Sequence, residues 1–237
     1  MKVSTIRDIL YAEVPRKVEW SKGEAYGFRN IGNKDFDVNR ILYCVTPTDE
    51  IVQYATANGY DLLISHHPFT VNGMPHAIFH TALDCCKGGL NDQWREMLGI
   101  KNSEHFDGTL GEYGDIEPIA MKDLIAKIEQ FVGHRIIGST YNEKNIIKSV
   151  VVCTGLGGMV TDLARTTEAD CYIIGEAIEP VDEMGFSAVI EVGHTLSERM
   201  GVNLFRTLLP ELAIDLCPLE LDVFGREFHP TKKEKAS

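Results

Sequence analysis

Across 237 residues no segment approaches the roughly 18 apolar residues of a membrane span, and residues 1–20 lack the apolar core of a signal peptide. Both absences lead to the expectation of a cytoplasmic protein that does not engage a membrane. Basic residues are scarce: 23 Lys and Arg stand against 35 Asp and Glu, a net charge of −12. Such a field disfavours a general nucleic-acid or anionic-membrane surface, and bound divalent cations would offset part of it. The six cysteines (Cys44, Cys85, Cys86, Cys153, Cys171 and Cys217) contain no Cys-x-x-Cys spacing. Cys44, Cys153 and Cys171 sit in apolar strand-like runs and are expected to be buried thiols, and the vicinal Cys85-Cys86 pair is treated as structural.

Apolar residues, by contrast, make up 44% of the chain, enough for a substantial core in one large or two modest domains. Their arrangement repeats. The strand-like run Ile41-Leu42-Tyr43-Cys44-Val45 turns at Thr46-Pro47-Thr48, continues as a helix from Asp49 to Ala55, and closes with the strand Asp61-Leu62-Leu63-Ile64. A shift of 109 residues places Val150-Val151-Val152-Cys153 on Ile41-Leu42-Tyr43-Cys44, Ala164 on Ala55, and Asp170-Cys171-Tyr172-Ile173 on Asp61-Leu62-Leu63-Ile64, with no gap. Each copy is a βαβ pattern, so an α/β protein of two related halves is expected, 1–120 and 121–237, separate or intertwined. Apolar periodicity also predicts helices over 5–12 and 121–132. The end, 231–237, has the composition of a solvated tail.

Two histidine clusters about 130 residues apart stand where strands end. The first closes Asp61-Leu62-Leu63-Ile64-Ser65-His66-His67-Pro68, with Pro68 holding His67 extended or in a turn as the strand stops. The second follows the strand-like run 187–192: Gly193 breaks it, and His194 and Glu198 lie four apart on the opening of a helix, hence on one face. Asp107, before Gly108, is a third acidic candidate. Taken singly, these also fit a hydrogen-bonded rim pair, an exposed i,i+4 pair and a turn aspartate. Together, three imidazoles and two carboxylates at strand ends form a donor set suited to zinc, iron, manganese or nickel, rather than to calcium or a thiolate zinc site. His76, His80, His105, His134 and His229 lack such a setting and are expected to be surface or satisfied core residues.

The same shift carries His67 onto Glu176, a candidate ligand or proton acceptor if the halves face one another; a loop-capping glutamate is the plainer alternative. In the second copy Thr154-Gly155-Leu156-Gly157-Gly158 joins strand to a helix over 160–167. Gly155, Gly157 and Gly158 fit either a tight turn or an anion cradle at the helix start, but form neither a dinucleotide fingerprint nor a P-loop.

The stretch 37–69 ending in His66-His67-Pro68, the stretch 155–175 and Gly193-His194-Thr195-Leu196-Ser197-Glu198 together resemble the Nif-three-like dinuclear metal-centre family, whose members often carry the label GTP cyclohydrolase I type 2. The resemblance implies a three-layer α/β/α fold, a toroidal homo-hexamer and two adjacent divalent ions per subunit. It also implies that His66, His67, Asp107, His194 and Glu198 are ligands. Two departures from the family pattern stand out. The family has histidine at the start of the five-residue block ending in the aspartate, and that place here is Ser103. Its Gly-Asp-x-x-x-His at the second repeat's strand end is Gly175-Glu176-Ala177-Ile178-Glu179-Pro180, without the histidine. The expected function is a metal-dependent hydrolase of an unidentified small molecule, nucleotide-like, a phosphate ester or a cyclic amide, with Glu176 as candidate proton acceptor. A non-catalytic hexameric metal-binding or metal-handling scaffold, and a metal-free nucleotide-binding module on the glycine turn, are the competing classes.

Overall fold

The computed structural model describes residues 1–16, 23–105, 111–141 and 146–225. Asp107 and the tail 231–237 lie outside them. In chain order, α1 (Val3–Glu13), β1 (Gly27–Arg29), β2 (Arg40–Cys44), α2 (Asp49–Ala57), β3 (Leu62–Ser65), β4 (His76–Ile78), α3 (His80–Cys85) and α4 (Leu90–Leu98) form the first part. Then come β5 (Lys101–His105), β6 (Gly111–Ala120), α5 (Met121–Val132), β7 (Gly138–Thr140), β8 (Ile146–Leu156), α6 (Gly158–Ala164) and β9 (Cys171–Glu176). β10 (Val189–Glu191), α7 (His194–Glu198), α8 (Val202–Leu208) and β11 (Ala213–Leu216) complete it.

The strands make two sheets, ordered β1-β4-β3-β2-β11 and β5-β6-β8-β9-β10-β7. Each carries helices on both faces, the α/β/α layering expected of buried parallel strands. In β2, Ile41 and Tyr43 pack with α1 and α8 while Leu42 and Cys44 pack with α2. In β8, Val150 and Val152 pack with α4 and α5 while Val151 and Cys153 pack with α6. This is the two-residue alternation of a strand, applied to sheets with no solvent face. Each fully buried aliphatic side chain contributes roughly 1.5–3 kcal/mol. No described helix is long and apolar enough to cross a membrane.

The repeat holds at the level of hydrogen bonds. Ile41 pairs with Leu62 and Leu42 with Leu63, and 109 residues on Val150 pairs with Cys171 and Val151 with Tyr172. Asp61 Oδ2 accepts from the amides of Asn39 and Arg40, and Asp170 Oδ2 accepts from those of Lys148 and Ser149. The duplication extends beyond the βαβ unit. In both sheets the third strand pairs in parallel with a fourth (β4, β10), which pairs antiparallel with a short edge strand (β1, β7). The halves are intertwined around residue 120: β5 and β6 join the second sheet, and β11 returns to the first.

Candidate metal centre

The backbone seats the first cluster. The β-ladder continues beyond β3, with His66 N–H donating to Cys44 O (3.1 Å) and His67 N–H to Val45 O (2.8 Å). Both rings face inward, 5.4 Å apart and tilted by 41°. From the second half, Gly193 takes φ +118°, a conformation favouring glycine, and turns the chain from β10 directly into α7. His194 and Glu198 then share a face, with His194 Nε2 3.5 Å from Glu198 Oε2.

The two clusters meet between the sheets. Glu198 Oε1 lies 3.4 Å from His66 Nε2, and Glu198 Oε2 lies 3.2 Å from His67 Nε2. His67 Nε2 and His194 Nε2 face each other at 3.2 Å. Donor atoms of His67, His194 and Glu198 fall within 4.8 Å of one another, as do those of His66, His67 and His80. The four of the five expected ligands that lie among the described residues are buried: His66 0%, His67 4%, His194 5% and Glu198 4% exposed.

His80 and Asp84 join this cluster, which corrects the expectation that His80 is an ordinary surface or core histidine. His80 opens α3 and Asp84 lies four residues on, one before its end, with Asp84 Oδ1 3.7 Å from His66 Nε2. His80-Thr81-Ala82-Leu83-Asp84 is the counterpart of His194-Thr195-Leu196-Ser197-Glu198, each opening the helix that follows the fourth strand of its repeat. It is also a block that starts with histidine and ends with aspartate, the pattern absent at Ser103. The signal was therefore present, displaced from the 109-residue shift because the loop before β10 is longer than the one before β4.

Outer partners fix the rings. His194 Nδ1 is 2.9 Å from Glu176 Oε2, a contact in which an Nδ1–H donates to the carboxylate while Nε2 faces the cluster. Glu176 thus holds His194 through this contact. Thr46 Oγ1 is 2.7 Å from His67 Nδ1. The glycine turn is closely packed. Gly155 N–H is committed to Ser197 Oγ (2.9 Å), and Gly157 packs against Ile174 and Tyr172, whose hydroxyl donates to Gly157 O. Gly158 opens the seven-residue α6. A Cβ on Gly155 would fall 2.2 Å from Glu198 Oε1 with φ at +59°, so Gly155→Ala is expected to lower stability by about 1–3 kcal/mol. It should also disturb the Glu198 side; urea unfolding and metal titration of the variant check both.

The donor atoms suit a cation. His66 Nε2, Asp84 Oδ1 and Glu198 Oε2 are buried without a hydrogen-bond partner, an arrangement costly unless something else pairs with them. Burial pushes His66 down to about 4 despite nearby Glu198, keeping it neutral with a lone pair to offer. Burial would raise Glu198, but the imidazoles of His66, His194 and His67 hold it well below the usual carboxylate range. Asp84 is driven well above that range by burial and by the charges of Glu198 and Glu24. A cation between the two acids would allow both to ionise.

A two-sheet α/β protein with a buried imidazole–carboxylate cluster between its sheets, able to bind a metal ion, is the class so defined. The chain belongs to the Duf34/NIF3 (NGG1p interacting factor 3) family, whose model matches residues 1–78 and 77–228. It is similar to a GTP cyclohydrolase 1 type 2 homolog of Lactococcus lactis, 26% identical over 181 residues covering 65% of this chain and 70% of that protein. A protein of the same description from Methanocaldococcus jannaschii is 22% identical, covering 94% of this chain and all of its own length (100%). Among solved structures, reduced HcgD from Methanocaldococcus jannaschii superposes with a TM-score of 0.74 at 20% identity, covering 91% of this chain and 97% of that one. A Bacillus cereus protein related to NIF3 gives 0.72 at 15%, covering 95% and 99%.

Proposed function

We propose that the cluster holds two divalent metal ions and that the protein is a metal-dependent hydrolase of a small molecule, working in the cytoplasm as a homo-hexamer. The observation that carries the dinuclear reading is the split of Glu198, one oxygen toward His66 and the other toward His67 and His194. His67, His194 and Glu198 Oε2 form one donor group; His66 and His80 lie beside His67 on the other side, with Glu198 Oε1 and Asp84 Oδ1 3.4 and 3.7 Å from His66 Nε2. Bound there, such ions supply Lewis acidity toward a carbonyl or phosphoryl oxygen. Thr46 and Glu176 keep His67 and His194 oriented, and burial excludes bulk water, strengthening every charge interaction within. Zinc, iron, manganese and nickel all suit these donors.

The relatives named GTP cyclohydrolase 1 type 2 homolog support a ring-opening hydrolysis, and the hexamer rests on the family resemblance. The near-complete burial of the donors favours a second reading, metal storage or handling without turnover. Asp84 is assigned here as the acidic ligand from the first half. Asp84→Ala is therefore expected to lower metal content and Asp107→Ala to leave it at the wild-type level, measured by elemental analysis; the reverse pattern restores Asp107 as the ligand. Hydrolysis of phosphate esters, nucleotides or cyclic amides by the loaded protein, lost in Asp84→Ala, supports the enzyme. Full occupancy with no turnover on any of them supports storage.

A further inference from the structure

Beyond β11 the chain does not leave the molecule but crosses the cluster from the first sheet toward the second. Arg199, next to Glu198, donates to Cys217 O (2.7 Å) at the start of this stretch. Asp222, fully buried, accepts from Val45 N–H with both oxygens (3.0 and 2.9 Å) and from Thr46 N–H (3.0 Å). Arg199 Nη1 stands 3.9 Å from Asp222 Oδ2. Burying a carboxylate is costly unless it is well bonded, and here its bonds hold the residue whose hydroxyl meets His67 Nδ1.

Two residues on, the half-buried Phe224 ring meets the imidazoles edge to face, its centroid 4.6 Å from that of His67 and 4.8 Å from that of His194. Gly225 then runs against the Glu176 carboxylate: a Cβ there would fall 2.0 Å from Oε2. One short segment thus touches both ligand rings and the outer partners of both.

We propose that residues 217–225 form a strap that completes the metal centre, with Asp222 and Phe224 as positioning residues for His67 and His194. This rests on the metal-holding reading of the cluster. Phe224 sets the tilt of the two rings from the solvent side, and Asp222 sets His67 from behind through Thr46. The strap also closes the side of the cluster that Phe224 covers, so that an ion leaves only when the ring swings away.

The test uses the full chain loaded with cobalt(II) alone, whose visible absorption reports ligand geometry. In Phe224→Ala and Asp222→Asn the bands are expected to shift, and cobalt affinity to fall roughly 10- to 100-fold, with faster stripping by a chelator. Phe224→Tyr, which keeps the ring, should restore both readouts. Unchanged spectra and stripping rates in both variants overturn the proposal. Faster stripping with unshifted bands would reduce Phe224 to a cover and overturn its positioning role. A wild type that takes up no cobalt sinks the metal-holding reading itself, and the strap proposal with it. Diethyl pyrocarbonate labelling, mapped by mass spectrometry, supplies a metal-independent check: His67 and His194 should react faster in Phe224→Ala, and equal rates overturn the closure.

Discussion

Glu198→Ala protein is expected to retain almost no metal on elemental analysis, against about two ions per chain in the wild type. Glu198 is the side chain that joins the two donor groups, with one oxygen 3.4 Å from His66 and the other 3.2 Å from His67. Its removal takes away the carboxylate shared by both groups and leaves His67 and His194 with no acidic partner in their group, Asp84 remaining only on the His66 side. The loss should exceed the roughly 10- to 100-fold cost typical of removing an outer partner. Glu198→Gln, which keeps the volume but not the charge, should fall between. Circular dichroism separates loss of metal from loss of fold, since Tyr43 bonds the backbone carbonyl of Glu198 rather than its carboxylate. A folded Glu198→Ala protein with wild-type metal would mean that the ions sit elsewhere.

Stripping the metal with a chelator is expected to lower the melting temperature by about 8 to 16 °C. An ion that binds only the folded chain, free at 1,000 times its dissociation constant, stabilises by about 4 kcal/mol, and a chain of this size gains roughly 2–4 °C per kcal/mol. The physical source lies in the cluster. Without a cation, burial and the charge of Glu198 disfavour ionised Asp84, and both nitrogens of His66 lack hydrogen-bond partners. Returning the metal should restore the melting temperature, and Glu198→Ala should respond to neither treatment. A metal-loaded wild type whose melting point ignores the chelator would place its ions on the surface.

Much of this was legible in the chain because the repeated strands are buried on both faces. Apolar runs of matching length, the closing ones opening at Asp61 and Asp170 and followed by His66-His67 or Gly175-Glu176, survive a single shift. Spacing likewise sufficed for His194 and Glu198, because a helix brings positions four apart together whatever surrounds it. His80 and Asp84 escaped for a different reason. The loops between the third and fourth strands differ in length, as surface loops tolerate, so the fixed shift that exposed the first three elements misaligned the last.

The α/β class, the duplication and the donors at strand ends were determined by the sequence itself, since they follow from local periodicity and from chemistry between near neighbours. Which donors share one centre was decided by tertiary structure. Phe224 reaches His67 and Glu176 reaches His194 only because the fold brings the ends of β3 and β9 together with α7 and carries the chain beyond β11 past both rings. The split of Glu198 between two imidazole groups, and the commitment of the Gly155 N–H to Ser197 Oγ, likewise depend on what lies a few ångströms away in space and more than 40 residues away in sequence.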